Sequence, residues 1–587
     1  MASAIERLLA EIAEVEDPIE GLKSLRTAVL ATPAIPLRET VSIAQLGIIF
    51  SLLNTNDKEQ IDVCVEILGR VLEVLDPAHL AFTYKVELQS GLNHPNDSVK
   101  LLSLTQIRRV LGNVDGVKEL TNNPEILQDV IQCMVADSIG VSKEVCSKFV
   151  LGRVLEVLDP AHLAFTYKVE LQSGLNHPND SVKLLSLTQI RRVLGNADGV
   201  KELTNNPEIL QDVIQCMVAD SIGVSKEAIS ALRKLTDTKA GLDALFRSDL
   251  LEKLKNVMAV SDIVRYRVYE LVVLICSVSP VSLGYCVSSN IVSKLLEELT
   301  GDDVLLRVTA IEMVTNLAQS HHGRQYLAQQ GIMDKIYNMI LAAESDPFSN
   351  FYLPGLVKFF GNLAIIDSPQ QVCEKYPAFL NMVFAMAMSP DSTQIPVALD
   401  TLGVLGGTVE GKQVLHKTGE QFNTVVKRMS RLAQDGATEL RVRSLEAIAQ
   451  LLTLPVEQQT DDLLLLTESW LCSLSSDPME MIKNISTQPF PELHCSALHI
   501  FTAIACQAWG QRMMMSSPGF AEWVVERSVS KGKEVKDCKF ELVSALLSSP
   551  STQEIFGAQN YLKLKRYLKE GPYHVEAIAS VTTEGAD

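Results

Sequence analysis

The sequence predicts an all-α protein, an α-solenoid of HEAT/armadillo-like repeats with a period of about 42 residues. Three observations carry that expectation. A chain of 587 residues exceeds one compact core, yet no stretch is long or polar enough to link separate globular units. Apolar residues make up 47% and aromatics only 5%, and Leu-rich amphipathic runs outnumber segments that alternate like strands. A short cassette also recurs at the spacing of stacked helical units.

That cassette is a Gly, three residues, then an apolar residue. It reads "GVKEL" at 116 and 199, "GLDAL" at 241, "GRQYL" at 323, "GKQVL" at 411 and "GQRMM" at 510, with a degenerate "SLGYC" at 282. A diverged unit is placed near "SPQQV" at 368. Twelve, nine and six residues before the Gly stand apolar triads: Leu104, Ile107, Val110; Ile229, Leu232, Leu235; Ile311, Val314, Leu317; Leu399, Leu402, Leu405; and Leu498, Phe501, Ile504. Thirteen residues before it stand Ser103, Ala228, Ala310, Ala398 and Ala497, small enough for one helix to lie close across another. A second amphipathic run follows each Gly. Each unit is therefore expected to be helix, turn at Gly, helix, with its apolar faces buried only against its neighbours. Residues 1–570 should form one continuous array, and 571–587 a flexible tail.

One region departs from ordinary repeat divergence. Residues 68–144 are identical to 151–227 except for Val114 against Ala197. The offset of 83 residues equals two repeats, so the extra copy enters in phase. At its first junction Val145, Phe149, Val154 and Leu158 keep one helical stripe.

Charge and motifs then exclude classes of function. A formal net charge of −19 opposes nucleic acid and anionic lipid, and no basic stripe rises above it. The opening "MASAIERLLAEIAEVEDPIEGLKSL" is an amphipathic helix and not a signal sequence, and nothing reaches transmembrane length. The eleven Cys lack paired zinc spacing and read as reduced core thiols of a cytosolic or nuclear protein. The stretch "GGTVEGKQ" imitates a phosphate loop, with Gly406, Gly411 and Lys412 in place, but Gln413 stands where a magnesium-binding hydroxyl belongs. His321 and His322 read as exposed turn residues, and the "HC" pair at 494 has no Gly-rich elbow. No catalytic, metal or cofactor site is expected.

Several longer stretches carry a family resemblance: "DIVRYRVYEL" at 262, "HHGRQYLAQQG" at 321, "DPFSNFYLPGLVKFFGNLA" at 346, "EGKQVLHKTG" at 410, "EQQTDDLLLLTESW" at 457 and "QPFPELHCSALHIFTAIA" at 488. The chain resembles the proteasome non-ATPase regulatory subunit five family, assembly chaperones of the 19S regulatory particle base. The resemblance implies a HEAT-like solenoid that binds the C-terminal domain of one AAA ATPase subunit during assembly and is absent from the finished 26S particle. Family members carry the duplicated module once, so the second copy is either a recent exon-scale duplication or a gene-model artefact.

Partner-binding candidates come from irregular segments. The cassette register puts Glu270 at a core position and Tyr269 where other units keep a small residue, which marks Arg265, Tyr266, Arg267 and Tyr269 as a recognition patch. A loop two residues longer would instead return Val268, Leu271 and Leu274 to the core. In "DPFSNFYLPGLVKFFGN" Pro354 and Gly355 are expected to break a helix and leave aromatics, Phe351 and Tyr352 among them, facing a groove; the alternative is a core placement. The expected partners are proteasomal AAA ATPase subunits and associated base subunits, bound by a protein monomeric when free. The competing readings are an armadillo-type transport adaptor or a general scaffold. The adaptor requires Trp with Asn four residues on, whereas Trp470, Trp509 and Trp523 are followed there by Leu474, Met513 and Arg527.

Overall fold

In several repeats a hydroxyl three residues ahead of the cassette Gly starts the short helix. The Thr238 side chain accepts from the Gly241 N–H at 3.1 Å, Ser320 from Gly323 at 3.1 Å and Thr408 from Gly411 at 3.0 Å. Ser279 and Ser368 cap in the same way onto Ser282 and Gln371. Each is an N-cap, satisfying a backbone donor that a helix start leaves open. The computed structural model describes residues 2–15, 17–40, 43–113, 116, 124–134, 168–527 and 532–574.

The caps correct the expected turn at Gly. Gly241, Gly323 and Gly411 each lie inside a short helix, Lys239–Phe246, His321–Gln329 and Val409–Lys417. None has positive φ. What they supply is close approach: an added Cβ would stand 1.8 Å from the Leu235 carbonyl oxygen at Gly241, 2.1 Å from that of Leu317 at Gly323 and 1.9 Å from that of Leu405 at Gly411. The short helix therefore rests on the last carbonyl-exposing turn of the helix before it.

A repeat accordingly has three helices, as in Ile395–Gly406, Val409–Lys417 and Glu420–Asp435. The sequence pattern merged the cap and the short helix into one turn because nine residues with a central Gly show little apolar periodicity. All five predicted apolar triads are at most 4% exposed, and the small residues before them are at most 2% exposed. These positions make the core.

The chain divides into two units, Met1–Val292 and Ser293–Asp587. In the first, the long helices Asp180–Val193, Ile222–Leu235 and Asp262–Cys276 pack in succession, as do the short helices Ala197–Asn205, Lys239–Phe246 and Pro280–Ser288. In the second, the stack of long helices runs Val304–Leu317, Ser349–Ile366, Ile395–Gly406, Thr438–Leu452, Pro491–Ala505 and Lys533–Ser548. Like helix packs on like, one repeat apart. Among the described residues there is no strand, and the fold is an α-solenoid of HEAT/armadillo-like repeats.

Two gaps in the cassette series are now filled. Ser368 caps the short helix Pro369–Lys375 of the diverged unit. Between Gly411 and Gly510 a further repeat, Thr438–Leu452, Asp461–Cys472 and Pro478–Ser486, escaped the pattern because the residue three after its cap Thr460 is Leu463 and not Gly. The two near-identical segments fold alike where described. Gln89 donates to Asp129 and Gln172 to Asp212, both at 2.9 Å, and Cys133 and Cys216 donate to the Leu92 and Leu175 carbonyls at 3.6 and 3.7 Å. The junction residues Val145, Phe149, Val154 and Leu158, and the tail beyond 574, lie outside the described residues.

Candidate partner-binding surface

In the first unit, helix Asp262–Cys276 begins at Ser261, whose hydroxyl accepts from the Val264 N–H at 3.3 Å. From that start Val268 and Leu271 fall into the core at 0% exposure, which is the outcome of the longer loop; Leu274, 43% exposed, does not join them. Tyr269 is 1% exposed, so it is a core residue and not part of an accessible patch. Arg267 is also committed. Its guanidinium donates to the carbonyls of Met217 and Ala219 at 2.7 and 2.8 Å, holding the segment that leads into the preceding long helix. Arg265 pairs with Asp262 at 2.7 Å and, like Tyr266, is half-buried.

In the second unit, Pro354 does not break its helix. Ser349–Ile366 runs through it, since Pro this near the first turn removes one hydrogen bond, to the Asn350 carbonyl. The aromatics then divide by face. Phe359 and Phe360 are core residues, and Tyr352, 2% exposed, donates its hydroxyl to Asp346 at 2.6 Å beneath the Arg307 guanidinium, 5.1 Å from its ring centre. Burial and that hydrogen bond push the Tyr352 phenol up to about 12. The bonds from Tyr352 and from the Phe348 N–H hold the Asp346 carboxyl below its usual range. Arg307 reaches Asp346 at 3.3 Å and the Gly301 carbonyl at 2.9 Å, so this helix start is fixed to the neighbouring repeat. Phe348 and Phe351 stand outside it, 54% and 63% exposed.

These two phenylalanines belong to a series that sequence inspection missed. The start of the long helix exposes an apolar residue in consecutive repeats: Ile222 and Ile263 in the first unit, each 65% exposed, and Leu305 at 71% followed by Phe348 and Phe351 in the second. The signal was a spacing, 41 residues from Ile222 to Ile263 and 43 from Leu305 to Phe348, at positions outside the core register. Side chains of this type on rigid helix starts suit a protein partner better than a small ligand.

The decoys resolve into structure. Lys412 is fully buried, and its ammonium donates to the carbonyls of Gly406, of Leu451 at 2.9 Å and of Gln450 at 3.3 Å. Burial alone lowers it to about 8. No phosphate has access to it. His321 and His322 open the helix His321–Gln329 and are not in a turn. Among the described residues no group of His, Cys, Asp and Glu is arranged to hold a metal, and no helix is long and apolar enough to cross a membrane. Trp470 and Trp509 are core residues, each 4% exposed, which places them out of reach of a peptide.

Comparison with known proteins agrees with this architecture. The profile of the family described as "Proteasome non-ATPase 26S subunit" matches residues 1–150 and 142–587. Human and mouse proteins named 26S proteasome non-ATPase regulatory subunit 5 are each 47% identical over the whole of both chains, and a Drosophila melanogaster protein of that name is 26% identical over 70% of this chain and 80% of its own. Two crystal structures of importin beta share the fold at 12% and 11% identity, with TM-scores of 0.55 and 0.54 over 95% and 96% of this chain and 78% and 76% of theirs.

Proposed function

The chain belongs to the proteasome non-ATPase 26S subunit family, and from that premise we propose that it is a non-enzymatic chaperone for assembly of the 26S regulatory particle base. In this reading it binds the C-terminal domain of an AAA ATPase subunit, in the cytosol or nucleus, and is absent from the mature particle. A role at the proteasome follows from the family. The observation that favours binding over chemistry is the series of exposed apolar helix starts, Leu305, Phe348 and Phe351 above all, on a scaffold whose candidate loop lysine and arginine are spent on backbone carbonyls. Arg265, half-buried and paired with Asp262, supplies a charged group near Ile263 in the first unit, and the Tyr266 hydroxyl is buried.

A titration of the purified protein against isolated C-terminal domains of the proteasomal ATPases tests the reading. One domain should bind, and Phe348→Ser/Phe351→Ser should weaken it about 10-fold, as loss of an apolar anchor does, with an unchanged melting temperature. Binding to none of the domains would remove the chaperone assignment. Unchanged affinity in the folded double variant would move the surface elsewhere.

A further inference from the structure

Three consecutive long helices of the second unit bring together groups that the binding role leaves unused. Glu446 lies on Thr438–Leu452, Cys495 and His499 on Pro491–Ala505, and Cys538 on Lys533–Ser548. The Glu446 carboxylate is 2.8 Å from His499 Nδ1, and His499 Nε2 is 3.6 Å from Cys538 Sγ. The Cys538 and Cys495 thiols hydrogen-bond one another. Cys495 and His499 are four residues apart on one helix, hence on the same face. All four side chains are partly exposed, so small solutes reach them.

We propose that Cys495 and Cys538 form a peroxide-reactive dithiol, with His499 and Glu446 as its proton relay, and that oxidation joins the last two long helices of the array by a disulfide. The directions of titration fit one arrangement. The hydrogen bond from Cys538 holds the Cys495 thiol below its ordinary value, against burial and against the facing carboxylates of Glu534, Glu446 and Glu492. Cys538 is correspondingly held up, first by Cys495. His499 is pushed up to about 10 by its bonds to Cys538 and Glu446, so it is an imidazolium at neutral pH. Burial raises the Glu446 carboxyl, but its bonds from His499 and Ser496 outweigh this and leave it low. The chain then runs carboxylate, imidazolium and two thiols, of which Cys495 is the more readily ionised and so the nucleophile.

The chemistry closes without a further reactant. Cys495 sulfur attacks one oxygen of hydrogen peroxide and the O–O bond breaks; the departing hydroxide takes the imidazolium proton and leaves as water. The product is a sulfenic acid on Cys495. Cys538 passes its proton to His499 and its sulfur attacks that of Cys495. The S–O bond breaks, and the second hydroxide takes the same proton to become water. Two thiols and one peroxide give one disulfide and two waters, with both sulfurs oxidised and both oxygens reduced.

The molecule contains its own controls. Cys276 and Cys286 are a second thiol pair, but both are 0% exposed. Cys472 is exposed and has no imidazole partner; burial and the charge of Glu468 raise its thiol. Brief treatment of the full chain with hydrogen peroxide, followed by alkylation and peptide mass mapping, should give a Cys495–Cys538 crosslink while Cys276 and Cys286 stay reduced. A lowered thiol pKa gains more in thiolate than it returns in nucleophilicity, so Cys495 should react faster than Cys472. In Cys538→Ser a dimedone adduct should accumulate on Cys495. His499→Gln and Glu446→Gln should each slow the reaction and shift its pH profile, with two variants guarding against misfolding of one. Absence of the crosslink, faster reaction at Cys472, or an unchanged rate and pH profile in both relay variants would overturn the proposal.

Discussion

The Lys412 ammonium donates to the Leu451 carbonyl at 2.9 Å, across one repeat boundary. The equivalent position, one residue after the cassette Gly, does the same in two other repeats of the second unit, and Thr552 does so near the C-terminal end. Arg324, Lys412 and Gln511 donate to the carbonyls of Ala318, Gly406 and Ala505, each six residues back, and Thr552 does so to Leu546. They also reach forward, Arg324 to Asp367 at 3.0 Å and Gln511 to Thr552 at 2.9 Å. A helix end leaves four carbonyls open. In these repeats one side chain closes some of them, and Arg324, Lys412 and Gln511 also tie down the neighbour.

Lys412→Met should therefore lower stability by about 2 kcal/mol, because buried carbonyls left unpaired cost more than the relieved burial of charge returns. The pH dependence has a definite sign. With the folded pKa near 8 and the unfolded value near 10.5, the unfolded chain binds more protons between those limits, and this contribution to stability grows as pH rises through them. The gap between parent and variant should widen from pH 7.5 to pH 9.5 in denaturant melts, and neither protein should turn over ATP.

Gly411→Ala should destabilise by about 3 kcal/mol, since its Cβ would stand 1.9 Å from backbone oxygen and the helix must shift. Gly284, two residues beyond the cap-plus-three position of its own repeat, has nothing within 4 Å of an added Cβ. Gly284→Ala should be neutral or stabilise by up to about 1 kcal/mol, from helix propensity. Thermal melts of the two variants side by side distinguish close approach from turn formation.

His494 is buried near Lys539, and burial followed by that charge lowers its pKa to about 4. The unfolded chain takes up this proton near pH 6.5 and the folded chain only near 4. Stability should fall as pH drops through that window, by on the order of 2–3 kcal/mol. His494→Gln should flatten this slope in denaturant melts between pH 6.5 and 4.5.

Deletion of residues 68–150 removes 83 residues and joins Ile67 to Leu151. The remaining copy then follows the helix that preceded the deleted one, and stability in such arrays is close to a sum over repeats and interfaces. A soluble, helical product with lower total stability is expected by circular dichroism and sizing. Aggregation of the variant beside a soluble parent would contradict the repeat register.

The core was legible in the sequence because burial repeats with the helix: each predicted triad, from Leu104, Ile107 and Val110 to Leu498, Phe501 and Ile504, is buried. The three-helix repeat was not, because the middle helix is defined by a cap and a close approach, which no apolar period reports. Tyr269 and Tyr352 misled for a related reason. Large aromatics at irregular register positions look available, yet Tyr269 fills the core and Tyr352 is bonded to Asp346. Lys412 lies within the cassette, but two of its three carbonyl partners come from residues 38 and 39 positions later, beyond any local motif. His499 carried no signal of its own, since its partners Glu446 and Cys538 lie on other repeats.

The bond from Gln89 to Asp129, repeated from Gln172 to Asp212, runs forward from one repeat to the next and finds an identical partner each time. A contact of this head-to-tail kind never closes on itself. It cannot count. Each copy brings its own bond of this type, complete within the copy, so the described contacts of the two copies are satisfied alike. Length added in this way changes the span of an array and not the bond that links its neighbours.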